Sequence, residues 1–114
     1  YGGVFTPTEA AVIAVPGEAA VEAVAALAAR GCKAGIVFTA GFAEIGEAGA
    51  ALQRRLLDAA RAGGMRLLGP NCLGLFNAPL GCFPIFSASF ENGWPLEGRV
   101  GIASQSGAYG THLF

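Results

Sequence analysis

A chain of 114 residues has room for one small domain or for a piece of a larger protein. Its formal net charge is −1 and its 7 basic residues are scattered, which excludes the Lys/Arg clustering that a nucleic-acid backbone requires. No apolar run approaches the ~20 residues that span a bilayer, and no signal-peptide pattern opens the chain.

The 3 cysteines, Cys32, Cys72 and Cys82, lack metal-ligand spacing. They predict reduced thiols in a cytoplasmic protein, and no metal site.

Residues 10–15 form a continuous apolar run ending at Pro16-Gly17, the pattern of a strand buried on both faces of a parallel sheet. Residues 18–30 read as a helix, with Glu18 and Glu22 in its first turns and Gly31 as its C′ residue. Val21, Val24, Ala25, Leu27 and Ala28 make its inward stripe. A second apolar strand covers 34–39 and runs into Ala40-Gly41-Phe42. A second helix covers 46–62, with Leu52, Leu56, Leu57, Ala59 and Ala60 inward and Gln53, Arg54, Asp58 and Arg61 outward. Gly63-Gly64 stops it, and 65–68 is a third strand.

This order predicts a βαβαβ unit with a parallel sheet and right-handed crossovers. In such sheets the strand C-termini share one edge, and ligands bind in the crevice there. Three loops are therefore expected to converge: Val15-Pro16-Gly17, Thr39-Ala40-Gly41-Phe42 and Gly69-Pro70-Asn71-Cys72.

Residues 75–98 show neither helical nor strand period. Phe76, Phe83, Phe86, Phe90 and Trp94 predict an ordered connection rather than a floppy linker, because such side chains gain by packing. A fourth strand is expected over 99–103, followed by a helix opening at Ser106. The chain lacks an initiator Met and stops inside that helix, so it is expected to be a segment of a longer protein.

Ser104-Gln105-Ser106-Gly107 joins the fourth strand to that helix. Small hydroxyls and a glycine at a helix start suit a phosphate; the same residues also suit a plain N-cap. No G-x-G-x-x-G and no G-x-S-x-G occurs, so neither a dinucleotide fingerprint nor a hydrolase elbow is present. His112 is the single histidine and has no acid beside it in sequence, which favours a structural role. Asn71 reads as a turn residue, Cys72 as a buried thiol, and Glu44 and Glu47 as helix-dipole partners.

Four segments taken together carry a resemblance. They are Val-Ile-Ala-Val-Pro at 12–16, Thr-Ala-Gly-Phe-Ala-Glu at 39–44, Leu-Leu-Gly-Pro-Asn-Cys-Leu-Gly at 67–74 and Gly-Arg-Val-Gly-Ile-Ala-Ser-Gln-Ser-Gly-Ala at 98–108. In this order and spacing the chain resembles the NDP-forming acyl-CoA synthetases, which include the succinyl-CoA synthetase α subunit and the ADP-forming acetate–CoA ligases. The resemblance covers nearly the whole chain and is least diagnostic over 78–95.

The resemblance implies a Rossmann-like α/β domain that binds coenzyme A, of which 1–77 would be the C-terminal half. It implies an interdomain connection over 78–98 and the start of a flavodoxin-like domain over 99–114. The implied activity joins a small carboxylic acid to CoA through an acyl phosphate and a phosphohistidine. ATP or ADP with Mg2+, and an ATP-grasp domain or subunit, would lie outside this chain.

By the same resemblance, Val15, Pro16, Phe38, Thr39, Ala40, Asn71 and Cys72 match CoA contacts. Ser104, Gln105, Ser106 and Gly107 match the helix start that holds the phosphoryl group. The glycine-rich phosphate loop would precede Tyr1 and the phosphorylated histidine would follow Phe114, so the segment by itself is expected to be inactive and to hold no catalytic residue.

The succinyl-CoA synthetase α subunit has Glu, Arg and Tyr where this chain has Ala40, Gln105 and Thr111, which points away from succinate. The alternatives are the CoA-binding regulatory part of a protein lysine acetyltransferase, a non-catalytic CoA-binding module and, last, an NAD-dependent oxidoreductase.

Overall fold

The computed structural model describes residues 10–112, which form two compact units divided between Cys72 and Leu73. In the first, β1 (Ala10–Ile13), α1 (Gly17–Ala29), β2 (Ala34–Val37), α2 (Glu47–Ala62) and β3 (Arg66–Leu68) alternate as expected. The sheet is parallel in the order β1-β2-β3, with Ile13 opposite Val37 and Ile36 opposite Leu68. The strands are shorter than the apolar runs: β1 stops at Ile13 rather than 15, and β2 at Val37 rather than 39.

Both helices end by one device. Gly31 (φ 87°) and Gly64 (φ 68°) follow the caps of α1 and α2 in the left-handed region, where a side chain is strained. Cys32 then donates its N–H to Leu27, and Met65 to Ala60, closing Schellman turns that satisfy the last carbonyls. Cys32 (2 % exposed) and Met65 (4 %) are pulled into the core, so each turn delivers the next strand at its buried start.

The core lies between one sheet face and the two helices. Ile13 and Val37 meet Ala20, Val21, Val24 and Ala28 of α1, Leu56 and Ala60 of α2, and Phe42. On α1, Ala20 joins the buried stripe while Ala25 is exposed; on α2, Gly49 is buried and Leu57 only half-buried. Gln53 is turned from solvent to a structural use, since its side-chain oxygen accepts the N–H of Ala43 at 3.2 Å. An exposed Arg55–Glu18 pair at 2.8 Å bridges the helices; at this exposure such a pair adds little stability.

Burial of the strands on both faces is not met among the described residues. Val12, Ile36 and Leu68 form one row across the opposite face, and Val12 (53 %) and Leu68 (41 %) remain exposed. Two right-handed crossovers that advance in one direction place both helices on the same side.

In the second unit, 73–86 folds back on itself where no strand period was visible. Gly74 bridges Ile85 and Asn77 bridges Cys82, both antiparallel. The Asn77 side chain closes the turn by accepting the Leu80 N–H at 3.1 Å. Phe76 stacks on Phe90 (centroids 5.3 Å, 2°) and Trp94 stacks on Phe90 at 5.1 Å. Phe83 packs 4.8 Å from Phe76, and Phe86 is 71 % exposed.

The strand expected over 99–103 is absent. No described segment pairs with it, and Val100 (84 %) and Ile102 (52 %) are exposed, so the apolar run lacks the partner a strand needs. The helix that follows is α3 (Gly107–Gly110); its expected extension over Leu113 and Phe114 lies outside the described residues.

Candidate functional site

The three strand-end loops of the first unit converge, and hydrogen bonds join them. Beyond the ladder, the Phe38 N–H reaches the Ile13 carbonyl at 3.0 Å. The Thr39 hydroxyl donates to the Val15 carbonyl at 2.7 Å. The Thr39 carbonyl in turn accepts the Asn71 N–H at 2.9 Å. The Cys72 thiol donates to the Val37 carbonyl at 3.5 Å. Val15, Phe38, Thr39, Asn71 and Cys72 are thereby brought together at the carboxyl edge of the sheet, with Pro16 and Ala40 exposed beside them.

Asn71 adopts a left-handed φ of 54°, a region asparagine tolerates better than most residues. Two residues earlier, Gly69 (φ 91°) has no room for a side chain: an added Cβ would run into the Val37 carbonyl oxygen and stand 3.0 Å from the Cys72 sulfur.

Pro16 is the N-cap of α1 and offers no side-chain cap, so the first N–H groups of that 13-residue helix face the same edge. Glu18 lies in this first turn, and the Arg55 guanidinium beside it holds its carboxyl below the usual range. An apolar hollow between α1 and α2, lined by Ala25, Ala28, Ala59 and Ala62, lies toward the helix C-terminal ends, away from these loops.

Glu44 has a use that its place in sequence hid. Its carboxylate accepts the Gly41 N–H, and together with the amides of Glu44 and Phe42 this lowers its pKa. The three-residue reach back from Glu44 resembles that of a capping box, but it ends one residue before Phe42, the N-cap of the Ala43–Ile45 turn, so it is only a weak signal. Gln53, 10 residues from Ala43, offered none.

The bound form of Glu44 is the carboxylate. Its contribution to the loop is therefore complete above the ordinary glutamate range and is lost as pH falls through the lowered folded-state value. In an NMR titration the Gly41 amide is expected to shift with Glu44 below the ordinary glutamate range. A transition at the ordinary value would contradict the bond.

In the second unit the Ser104–Gly107 segment is organised as a cap. Ser106 Oγ accepts the Tyr109 N–H at 3.3 Å, and Ser104 Oγ donates to the Ser106 carbonyl at 2.8 Å. Gly107 packs on Leu73, whose Cγ and Cδ1 would lie 2.7 Å from an added Cβ; that alone explains a glycine there. Gln105 is exposed. His112 turns its Nδ1 onto the Ala108 carbonyl at 2.6 Å, a local helix-end contact. Among the described residues no group of acidic, Cys or His side chains is arranged to hold a metal. No described helix is long and apolar enough to cross a membrane.

A family profile described as "CoA binding domain" matches residues 5–78, the segment that builds these loops. The chain belongs to the CoA-binding domain family.

Its relatives within that family carry ligase names. The chain is 37% identical over 99 residues to acetate–CoA ligase [ADP-forming] I of Archaeoglobus fulgidus, covering 87% of this chain and 14% of that protein. It is 33% identical over 103 residues to the α subunit of acetate–CoA ligase [ADP-forming] II of Pyrococcus furiosus, covering 90% and 21%. Among solved structures it superposes on the dinucleotide-forming acetyl-coenzyme A synthetase 1 of Ca. Korarchaeum cryptofilum in complex with phosphate and ADP. The TM-score is 0.84 at 34% identity, over 97% of this chain and 23% of that one. The chain thus spans 14 to 23% of the length of these relatives.

Proposed function

We propose that this CoA-binding domain serves an NDP-forming acid–CoA ligase, an enzyme that joins a small carboxylic acid to the thiol of coenzyme A. The observation that carries the reading is the set of three strand-end loops tied together at the carboxyl edge of a parallel sheet, within the segment matched by the CoA-binding profile. The arrangement suits the ligand. Val15, Pro16 and Ala40 offer exposed apolar surface to the pantetheine arm. Phe38, Asn71 and Cys72 complete the lining, and Thr39 ties their loops together. Coenzyme A supplies the thiol that accepts the acyl group; these residues bind and orient it.

The ligase names of the relatives favour this over a regulatory CoA module. By the same likeness ATP or ADP with Mg2+ would be handled by an ATP-grasp domain or subunit elsewhere in a cytoplasmic enzyme. Ser104, Gln105, Ser106 and Gly107 would receive a phosphoryl group during transfer.

Calorimetric titration of the whole protein with CoA and with NAD tests the ligand. CoA is expected to bind and NAD to bind far more weakly; tighter binding of NAD would defeat the reading.

A further inference from the structure

We infer that Thr39 is a positioning residue that sets the entry of α1 into the ligand site, an inference that rests on the CoA-binding reading above. Thr39 sits just past the central strand, where ladder pairing has ended at Val37. Its side chain and its backbone are bonded in opposite directions: the hydroxyl to the Val15 carbonyl at 2.7 Å, the carbonyl to the Asn71 N–H at 2.9 Å. One residue therefore ties the β1 loop and the β3 loop to the middle of the sheet.

The β1 side depends on it more. β1 leaves the sheet at Ile13, and only Ala14, Val15 and Pro16 separate it from α1. Pro16 holds φ at −52° and forms the N-cap through its backbone, its carbonyl accepting the Ala20 N–H at 2.8 Å. Without a side-chain cap, the direction of the first turn of α1 follows the peptide at Val15–Pro16. The Thr39 hydroxyl fixes that peptide. With its proton committed to Val15, Thr39 acts on a ligand through the placement of the Val15–Pro16 loop from which α1 starts.

Thr39→Val keeps the shape and deletes the hydroxyl; Thr39→Ser keeps the hydroxyl and deletes the methyl. In the whole protein, Thr39→Val is expected to weaken CoA binding about 5-fold, the worth of one modest hydrogen bond. Without ligand it is also expected to speed hydrogen–deuterium exchange across the Val15–Ala20 segment. Thr39→Ser is expected to restore both, and unfolding temperatures of all three proteins serve as the control for a merely structural loss.

Unchanged CoA affinity in folded Thr39→Val overturns the role. Weakened affinity with unchanged ligand-free exchange also overturns it, since that marks a direct contact. Failure of Thr39→Ser to rescue would assign the effect to the methyl instead. If the wild-type protein does not bind CoA, the functional reading falls and the positioning role with it. The ligand-free exchange then still decides, separately, whether Thr39 holds the β1 loop.

Discussion

Gly49→Ala is expected to lower the unfolding temperature by roughly 10 °C, although alanine is the better helix former. Gly49 lies in the first turn of α2 and is buried. A Cβ there would stand 2.6 Å from the Phe42 carbonyl carbon and 2.6 Å from Ile45 Cγ1, and closer still to the Phe42 carbonyl oxygen. Backbone atoms have no rotamer by which to move aside. Phe42 cannot retreat either: its ring is 0 % exposed in the core, and its carbonyl already accepts the Ile45 N–H at 3.0 Å.

Overpacking of this kind costs about 3 kcal/mol, against about 1 kcal/mol gained from helix propensity. The net loss of about 2 kcal/mol corresponds to roughly 8–16 °C in a domain of this size. Thermal unfolding followed by circular dichroism checks it. A rise in unfolding temperature would show that propensity decides and that the 42–45 turn yields readily.

If the proposed ligase function holds, Ser106→Ala in the whole protein is expected to cut acyl-CoA formation on the order of 10²-fold, with a much smaller effect on stability. A phosphoryl group in transfer needs donors already aimed at it, and losing one such donor costs about that factor. The structure gives the hydroxyl a different role. Ser106 Oγ caps α3 through the Tyr109 N–H at 3.3 Å, and loss of a cap costs about 1 kcal/mol of stability while leaving chemistry alone. Melting temperature and turnover, measured on the same variant, separate the two. Turnover that survives within a few-fold while stability falls would leave Ser106 a cap and remove the phosphoryl role.

Much of the first unit was legible before any coordinates. Apolar runs at 10–15 and 34–39 and the two amphipathic stretches are local signals, and each became the element expected, the strands trimmed by two residues where backbone pairing ends and the helices within one residue of the expected bounds. Gly31 and Gly64 were readable as helix stops for the same reason: a left-handed residue after a helix is a local need. Convergence of the Val15, Thr39 and Asn71 loops also followed, because a parallel order puts strand C-termini on one edge.

The second unit was less legible, because its structure rests on pairings between distant residues. The run at 99–103 has strand composition but no strand neighbour among the described residues, and a strand is defined by its neighbour. The antiparallel turn-back at 73–86 has backbone partners without side-chain alternation, so its pairing left no period to read. The packing of Leu73 against Gly107 became visible only in three dimensions.

The sequence by itself determined the alternation of elements, the parallel sheet, the stops of both helices and the edge at which a ligand would sit. All of these depend on periodicity and on backbone conformations that single residues prefer. Tertiary structure alone decided which residues hold that edge together: Thr39 to Val15, Asn71 to Thr39, Gln53 to Ala43 and Cys72 to Val37. These bonds join positions 10 to 35 residues apart, a separation at which spacing along the chain carries no information and only the packed fold sets the distance.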